Sequence, residues 1–264
     1  MNSDLYSINL IISTFNNPDA LREILLRILS GSLLPESIHI ADDGSGSQTR
    51  EIIKSFQEKS RIKIFHHWHE NAGFRKCKIL NNSLAECNGD YIVFLDGDCL
   101  PHPDFIKDHR QLSQKGYFVQ GRRCFVSEEM VKPLLMGDLT IAKLILRKKV
   151  YGLFKAFRFP IPLIKTNMDQ RGLIGCNWAS WRENLVEVNG FDEDYEGWGI
   201  GEDSDICTRL YNLGIYRKFV YGRSIVYHLN HKVVEKNHLH ASNARLQETL
   251  STSKIRCTNG LKKE

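Results

Sequence analysis

Tyr91-Ile92-Val93-Phe94-Leu95-Asp96-Gly97-Asp98 decides how this chain is read: an apolar run of strand length ends on two carboxylates separated by one glycine. Side chains alternate across a strand, but the strand stops here, and Gly97 permits a turn that other residues resist. Asp96 and Asp98 can then converge on a divalent cation and the phosphates it carries. Mg²⁺ and Mn²⁺ favour oxygen ligands and often take one or two carboxylates together with phosphate oxygens. Alone, the tripeptide also reads as a polar turn after a strand, because Asp-Gly is a common turn pair.

The flanking sequence supplies the setting. Ser7–Thr14, Ile38–Ala41, Ile62–Phe65, Tyr91–Leu95 and Phe118–Gln120 are short apolar runs that predict strands. Asp19–Leu29 (capped by Asp19), Thr49–Lys59, Lys76–Glu86 and Pro103–Lys115 carry apolar residues at helical spacing. Such alternation implies βαβ units. The expected fold class is α/β: a Rossmann-like, mainly parallel sheet flanked by helices, with a smaller C-terminal subregion. Ligands bind such sheets at the carboxyl ends of the strands. The polar clusters Thr14-Phe15-Asn16, Asp42-Asp43 and Asp96-Gly97-Asp98 all stand at those ends.

The second half is less regular. Leu139–Lys155 mixes apolar and basic residues at roughly helical spacing, and Arg158–Lys165, with Pro160 and Pro162, reads as an irregular linker. Leu173–Ser180 is strand-like; a short helix, a Gly/acidic loop and a helix from near Glu202 follow. Ile225–Leu229 is a late strand, and the polar tail after about Leu246 is expected to be loose. The working division within one domain is 1–121; 122–170, a basic, apolar connection; 171–245; and 246–264, a tail.

At 264 residues the chain is ample for a full core, and its 42% hydrophobic and 25% charged content is that of an ordinary globular protein. No apolar run is long enough to span a membrane, and Met1-Asn2-Ser3-Asp4 lacks the start of a signal peptide, so a cytoplasmic location is expected. Seven cysteines, an odd number without a C-x-x-C pair, read as reduced thiols. The net charge of +5 is unevenly spread: Arg122–Lys165 holds ten Lys/Arg against three Asp/Glu. Residues 139–159 are therefore a candidate for peripheral contact with an anionic membrane, on the inner face of the cytoplasmic membrane. The competing reading is a helix packed on the core with solvated lysines. Nucleic acid is not an expected partner.

Four further clusters carry chemistry. Asp42-Asp43-Gly44-Ser45 places carboxylates where they can accept hydrogen bonds from a base or ribose. Arg75 and Lys76 precede a helix and can hold a diphosphate, Arg by its planar fork and Lys as a point charge. Gly197-Trp198-Gly199 is followed by Glu202-Asp203-Ser204-Asp205. The glycines let backbone approach a ligand, Trp198 offers a flat face to a sugar ring, and a neighbouring carboxylate can serve as general base. His228 or His231, at a late strand end, can join Asp98 on a metal.

Together these residues resemble glycosyltransferase family 2, of GT-A fold, with a galactosyltransferase-type C-terminal half like that of β-1,4-galactosyltransferases and bacterial chondroitin-type polymerases. The motifs are Ser13-Thr14-Phe15-Asn16, Asp42-Asp43-Gly44-Ser45, Asp96-Gly97-Asp98, Asn189-Gly190-Phe191-Asp192-Glu193, and Gly-Trp-Gly followed by Glu202-Asp203. Phe15 replaces the usual tyrosine. Two residues, Ile200 and Gly201, stand where the family commonly has one.

The resemblance implies an inverting transfer of a sugar from a nucleotide-sugar, a UDP-hexose or UDP-N-acetylhexosamine, to a glycan or lipid-linked glycan in bacterial surface polysaccharide or lipopolysaccharide synthesis. It implies Thr14, Asn16, Asp42, Asp43, Arg75, Lys76, Asp96 and Gly97 on the donor. It implies Asp98, His228 and Asp96 on Mn²⁺ or Mg²⁺, and Asp203 or Glu202 as base. Asn177, Trp198 and Gly199 fall to the sugar and acceptor. Two rivals differ in class. A sugar-nucleotide nucleotidyltransferase would want a Gly-rich basic loop where Thr14-Phe15-Asn16-Asn17 stands; a non-catalytic carbohydrate-binding protein would not need complete acidic motifs.

Overall fold

A computed structural model describes residues 6–152, 155–167, 173–196, 201–231 and 239–263. The first half alternates strand and helix: β1 (Ile8–Thr14), α1 (Pro18–Leu29), β2 (Ser37–Asp42), α2 (Ser47–Lys59), β3 (Lys63–Trp68), α3 (Lys76–Glu86) and β4 (Tyr91–Asp96). β5 (Cys99–Pro101), α4 (Phe105–Leu112), β6 (Tyr117–Gln120), β7 (Arg122–Val126), α5 (Glu128–Leu135), α6 (Ile141–Leu146), β8 (Val150–Tyr151) and β9 (Leu163–Asn167) follow. Then come β10 (Asn177–Trp181), α7 (Arg182–Glu187), α8 (Glu202–Asn212), β11 (Tyr216–Tyr221), β12 (Ile225–Leu229) and α9 (Leu239–Thr252).

An eight-stranded sheet runs β3-β2-β1-β4-β10-β6-β11-β9, and a four-stranded sheet runs β5-β12-β7-β8. β1, β2, β3 and β4 are parallel, whereas β10 is antiparallel to both β4 and β6. The large sheet is mixed, and strands from both halves of the chain share it. After β1 the chain winds outward to β3, then returns to place β4 on β1's other side. Ligand crevices form where the winding reverses. Here that point lies between the ends of β1 and β4, with Ser13 opposite Asp96.

Both faces of these strands are covered, which is why they read as continuous apolar runs. Leu10 and Ile12 of β1, with Val93 and Leu95 of β4, pack on one side; Ile11, Ile92 and Phe94 pack on the other with Trp178, Phe191 and Ile206. All seven cysteines are free and buried.

Several expectations need correction. Asp19 does not cap α1: Asn17 is the N-cap, its side chain makes no capping bond, and Pro18 starts the helix. Proline's fixed φ suits that position, and Asp19 instead pairs with Arg22 at 2.5 Å. The expected helix over Leu139–Lys155 is only Ile141–Leu146. Lys148 and Gly152 adopt positive φ, +55° and +76°, and Val150–Tyr151 pairs with β7 as β8. β3 continues past Phe65 to Trp68. The linker over 158–165 ends in β9, an edge strand on β11.

The tail is not loose. After α9 it docks on Asn189, whose Nδ2 donates to the carbonyls of Cys257 (2.8 Å) and Lys262 (2.9 Å) and whose Oδ1 accepts from the Lys262 N–H (2.9 Å). Asn189 holds φ +65°, a region Asn tolerates better than most residues. Asn189→Ala is expected to cost roughly 1–3 kcal/mol in chemical denaturation and to speed alkylation of the buried Cys257 thiol. An unchanged alkylation rate would mean the tail is held elsewhere.

Candidate active site at the ends of β1 and β4

Asp96 ends β4 and does not stand alone. Its Oδ1 accepts from Ser13 Oγ at 2.7 Å and from Lys76 Nζ at 2.6 Å. Lys76 opens α3. Burial disfavours its charge, but Asp96, then Asp203 and Glu202, outweigh that and raise its pKa. Lys76, Asp96, Asp203, Ser13 and Gly175 line one small cavity.

Asp203 arrives from α8. The helix starts at Gly201, whose φ of +110° few other residues adopt, and Glu202, Asp203 and Asp205 fill its first turn, where the helix dipole favours acids. Asp203 Oδ2 accepts the Gly175 N–H at 3.0 Å. A Cβ on Gly175 would stand 2.2 Å from that carboxylate, so only glycine admits it. Burial, then the adjacent Glu202, push Asp203 up to about 7, against the pull of Lys76 and the Gly175 N–H. Glu202 is itself buried.

Gly97 sends the chain from β4 toward β5. A Cβ there would lie 2.5 Å from the Ser13 carbonyl oxygen and 3.1 Å from Thr14 Oγ1. The Ser13 carbonyl belongs to a central strand and cannot yield readily. Gly97→Ala is expected to cost roughly 1–3 kcal/mol by overpacking, read as a lowered Tm; an unchanged Tm would show that this turn can move off β1.

Asp98 joins a separate group. The second sheet sets His228 of β12 beside Cys99 of β5, and the Leu229 N–H donates to the Asp98 carbonyl at 2.8 Å. Asp98 Oδ2 lies 3.3 Å from His228 Nε2 and 3.1 Å from His231 Nε2. One ligand atom from each of the three falls within 4.8 Å of the others. Burial raises the Asp98 pKa, but His231 and His228 outweigh it and hold the carboxyl low. Burial lowers the His228 pKa, against the pull of Asp98, which favours the neutral imidazole that ligates metals. His228 Nδ1 is buried without a hydrogen-bond partner among the described residues. Both candidate histidines are thus present, whereas Asp96 is engaged by Lys76 and Ser13.

Asp42 and Asp43 form the third part. Asp42 Oδ1 accepts the Ser45 N–H at 2.8 Å, and Oδ2 lies 2.9 Å from His66 Nε2. Burial raises its pKa, but His66 and Ser45 more than offset this and hold it below the ordinary value. Asp43 lies 2.6 Å from His69 Nε2 and accepts the Arg75 N–H at 3.0 Å. Asn16, at φ +47°, accepts the Gly46 N–H on Oδ1 and donates its own N–H to Ser45 Oγ. Thr14 Oγ1 is buried without a partner among the described residues. The Arg75 guanidinium donates to the Glu70 carbonyl.

Two expectations change. Asn177 does not present its amide to a ligand: it is fully buried, and donates to the Ser224 (2.6 Å) and Arg122 (3.2 Å) carbonyls while its Oδ1 meets His109. A buried amide needs these partners, and three chain segments supply them. Lys76 is Asp96's ion-pair partner rather than a free cation. Trp198 and Gly199 lie outside the described residues. His66, His69 and Gly175 went unrecognised in the sequence; the signal for the histidines was the polar end of β3, taken to stop at Phe65.

Residues 9–161 match the family described as "Glycosyl transferase family 2", and residues 156–232 match "N-terminal domain of galactosyltransferase". The chain is 24% identical over 239 residues to a chondroitin synthase of Escherichia coli, covering 84% of this chain and 34% of that protein. It is 25% identical over 205 residues to the GalNAc(5)-diNAcBac-PP-undecaprenol beta-1,3-glucosyltransferase of Campylobacter jejuni, covering 77% and 59%. The chain thus spans less than two thirds of either relative. TarS 1–349 of S. aureus, solved with UDP, superposes with a TM-score of 0.64 at 14% identity, over 94% of this chain and 65% of that one. The mannosyltransferase PcManGT of Pyrobaculum calidifontis, solved with GDP-Man and Mn²⁺, gives 0.56 at 19%, over 94% and 63%. The fold is that of GT-A glycosyltransferases. With more than half its length matched by the first of these families, the protein belongs to glycosyltransferase family 2.

Proposed function

We propose that the chain transfers a hexose or N-acetylhexosamine from a UDP-sugar to a glycan acceptor with inversion, and that Asp203 is the general base. The observation that carries this reading is Asp203 itself, a carboxylate with its pKa near neutrality in one cavity with Lys76 and Asp96. A base works best when its pKa lies near the working pH. One displacement needs one base and no enzyme nucleophile, so the acceptor hydroxyl gives its proton to Asp203 as it attacks. Glu202, buried beside it, is the competing base and in this reading sets the Asp203 pKa.

Asp42, Asp43 and Thr14 receive the nucleoside, with Asn16 tying their two loops together. Arg75, at the start of α3, faces the diphosphate, and Asp96 and Gly97 form the floor of the donor site. Lys76 holds Asp96. The residues Asp98, His228 and His231 suit a divalent cation: one low-pKa carboxylate, an imidazole whose pKa burial lowers and a second imidazole, converging from two loops and a strand. Two imidazoles favour Mn²⁺ over Mg²⁺. A cation held by these three residues would supply Lewis-acid stabilisation of the diphosphate leaving group.

Residues 1–121 serve as the donor half and 171–245 as the acceptor half, with Trp198 and Gly199 on the sugar. The acceptor is a lipid-linked glycan of the bacterial surface, in keeping with the undecaprenol-linked acceptor in the name of the Campylobacter relative. Among the described residues no helix is long and apolar enough to cross a membrane.

The test is release of UDP from a panel of UDP-sugars with Mn²⁺, alongside a thermal-shift screen of the same sugars. Bound donor raises Tm through its binding free energy. No Tm shift and no UDP release with any of them would overturn the donor assignment.

A further inference from the structure

We infer that the surface from Met136 to Lys165 docks the protein on an anionic phospholipid bilayer. This goes beyond the transfer chemistry and does not rest on it. Fifteen large hydrophobic side chains are exposed among the described residues, and seven of them fall between Met136 and Ile164. Leu146 is 82% exposed and Ile161 80%. Scattered exposed apolar residues need no explanation, but a concentrated set marks an interaction surface.

The charge of the same stretch is one-sided. Residues 136–165 contain seven Lys/Arg against one acid, Asp138. Arg158 is taken by Asp108 and Asp104, and Lys149 pairs with Glu129. Lys143, Arg147, Lys148 and Lys165 are exposed, with no carboxylate partner among the described residues. Cations interleaved with exposed apolar side chains match anionic headgroups above acyl chains. A second copy of this chain fits poorly, because it would set the same excess of positive charge against itself.

The surface is not the long amphipathic helix that the sequence suggests. It is assembled from the end of α6, the edge strand β8, the 155–162 connection and the edge strand β9. The Phe159 N–H donates to the Gly222 carbonyl at 2.9 Å, and Tyr227 Oη donates to the Ala156 carbonyl at 3.3 Å. These bonds hold residues 156–159 against β12 and the turn before it, while β8 and β9 are held as edge strands of the two sheets.

Met136, at one end of the patch, lines a cleft of about 570 Å³ together with Val131, Leu135, Arg22 and Asn230. Asn230 directly precedes His231.

The experiment is co-sedimentation of the whole chain with vesicles of phosphatidylcholine, with and without phosphatidylglycerol, at low and high salt. Binding is expected only with phosphatidylglycerol, and to weaken with salt. Each cation near an anionic surface is worth roughly a fivefold gain in binding, so Lys143→Glu with Lys148→Glu should cost at least ~25-fold. Leu146→Ser with Ile161→Ser should also release the protein. All four positions are exposed and outside the catalytic machinery, so UDP-sugar hydrolysis should persist in both variants. Absence of binding, equal binding to neutral vesicles, or anionic binding indifferent to both variants would overturn the proposal. So would a dimer in solution that the Leu146→Ser, Ile161→Ser variant converts to monomer. If the parent binds anionic vesicles but releases no UDP from any sugar, the transferase reading fails and the docking stands.

Discussion

Asp203→Asn is expected to lower kcat by ~10²-fold or more while the affinity for the nucleotide-sugar stays close to that of the parent. Asparagine keeps the shape and can still accept the Gly175 N–H, so α8 and the cavity wall are retained. What it loses is the ability to take a proton from the acceptor. Single-turnover kinetics measured with donor titration separates the two effects. If Asp203→Asn keeps its turnover and Glu202→Gln loses it, the base is Glu202.

The pH dependence follows from the same residue. Burial, then Glu202, raise Asp203 to about 7. A base must be unprotonated, so kcat/KM should fall about tenfold per pH unit below about 7. Stability moves the other way. Folded Asp203 keeps its proton to a higher pH than the ordinary Asp value of about 3.9. The stabilisation it contributes is therefore fully present below about pH 4 and lost as pH rises through about 7. Asp203→Asn has no proton to lose there, so its unfolding free energy should decline less than the parent's between those limits. A parallel decline in both proteins would mean that Asp203 is not the shifted group.

The reading from sequence succeeded where pattern and chemistry coincided. β1, β4 and β12 are buried on both faces, and α3 has apolar residues at clean helical spacing, so their place was legible. Asp96 and Asp98 were legible as a pair but not as partners of different groups. The Gly97 turn sends one carboxylate to Lys76 and the other toward β12, and no spacing rule states that. His66 and His69 were hidden because an apolar run was used to end β3, although an edge strand can carry polar residues to its last position. Asn177 resembled a ligand-binding amide and is a core one; its partners lie in β7 and in the turn before β12, far away in sequence. Leu139–Lys155 has the composition of a helix, but Lys148 at positive φ and the pairing of Val150 with Val126 override it.

Asp98→Ala is expected to lower turnover by about 10³-fold, the several kcal/mol that a Lewis acid supplies to a departing diphosphate. Chelation of the parent with EDTA should give the same loss, and Mn²⁺ should restore activity better than Mg²⁺. The histidines should differ in size of effect. The His228 side chain is 11% exposed and fixed on β12, whereas that of His231 is 43% exposed on the segment that follows. A ligand held by a strand is already oriented, and the more exposed His231 beyond the strand end does not replace it. His228→Ala should therefore weaken Mn²⁺ binding more than His231→Ala, measured by electron paramagnetic resonance titration of Mn²⁺ in the absence of donor. That readout does not depend on turnover and separates loss of metal from loss of catalysis. Full activity in EDTA, or Mn²⁺ binding unchanged in Asp98→Ala, would remove the cation from the mechanism and leave the diphosphate to Arg75 and the start of α3.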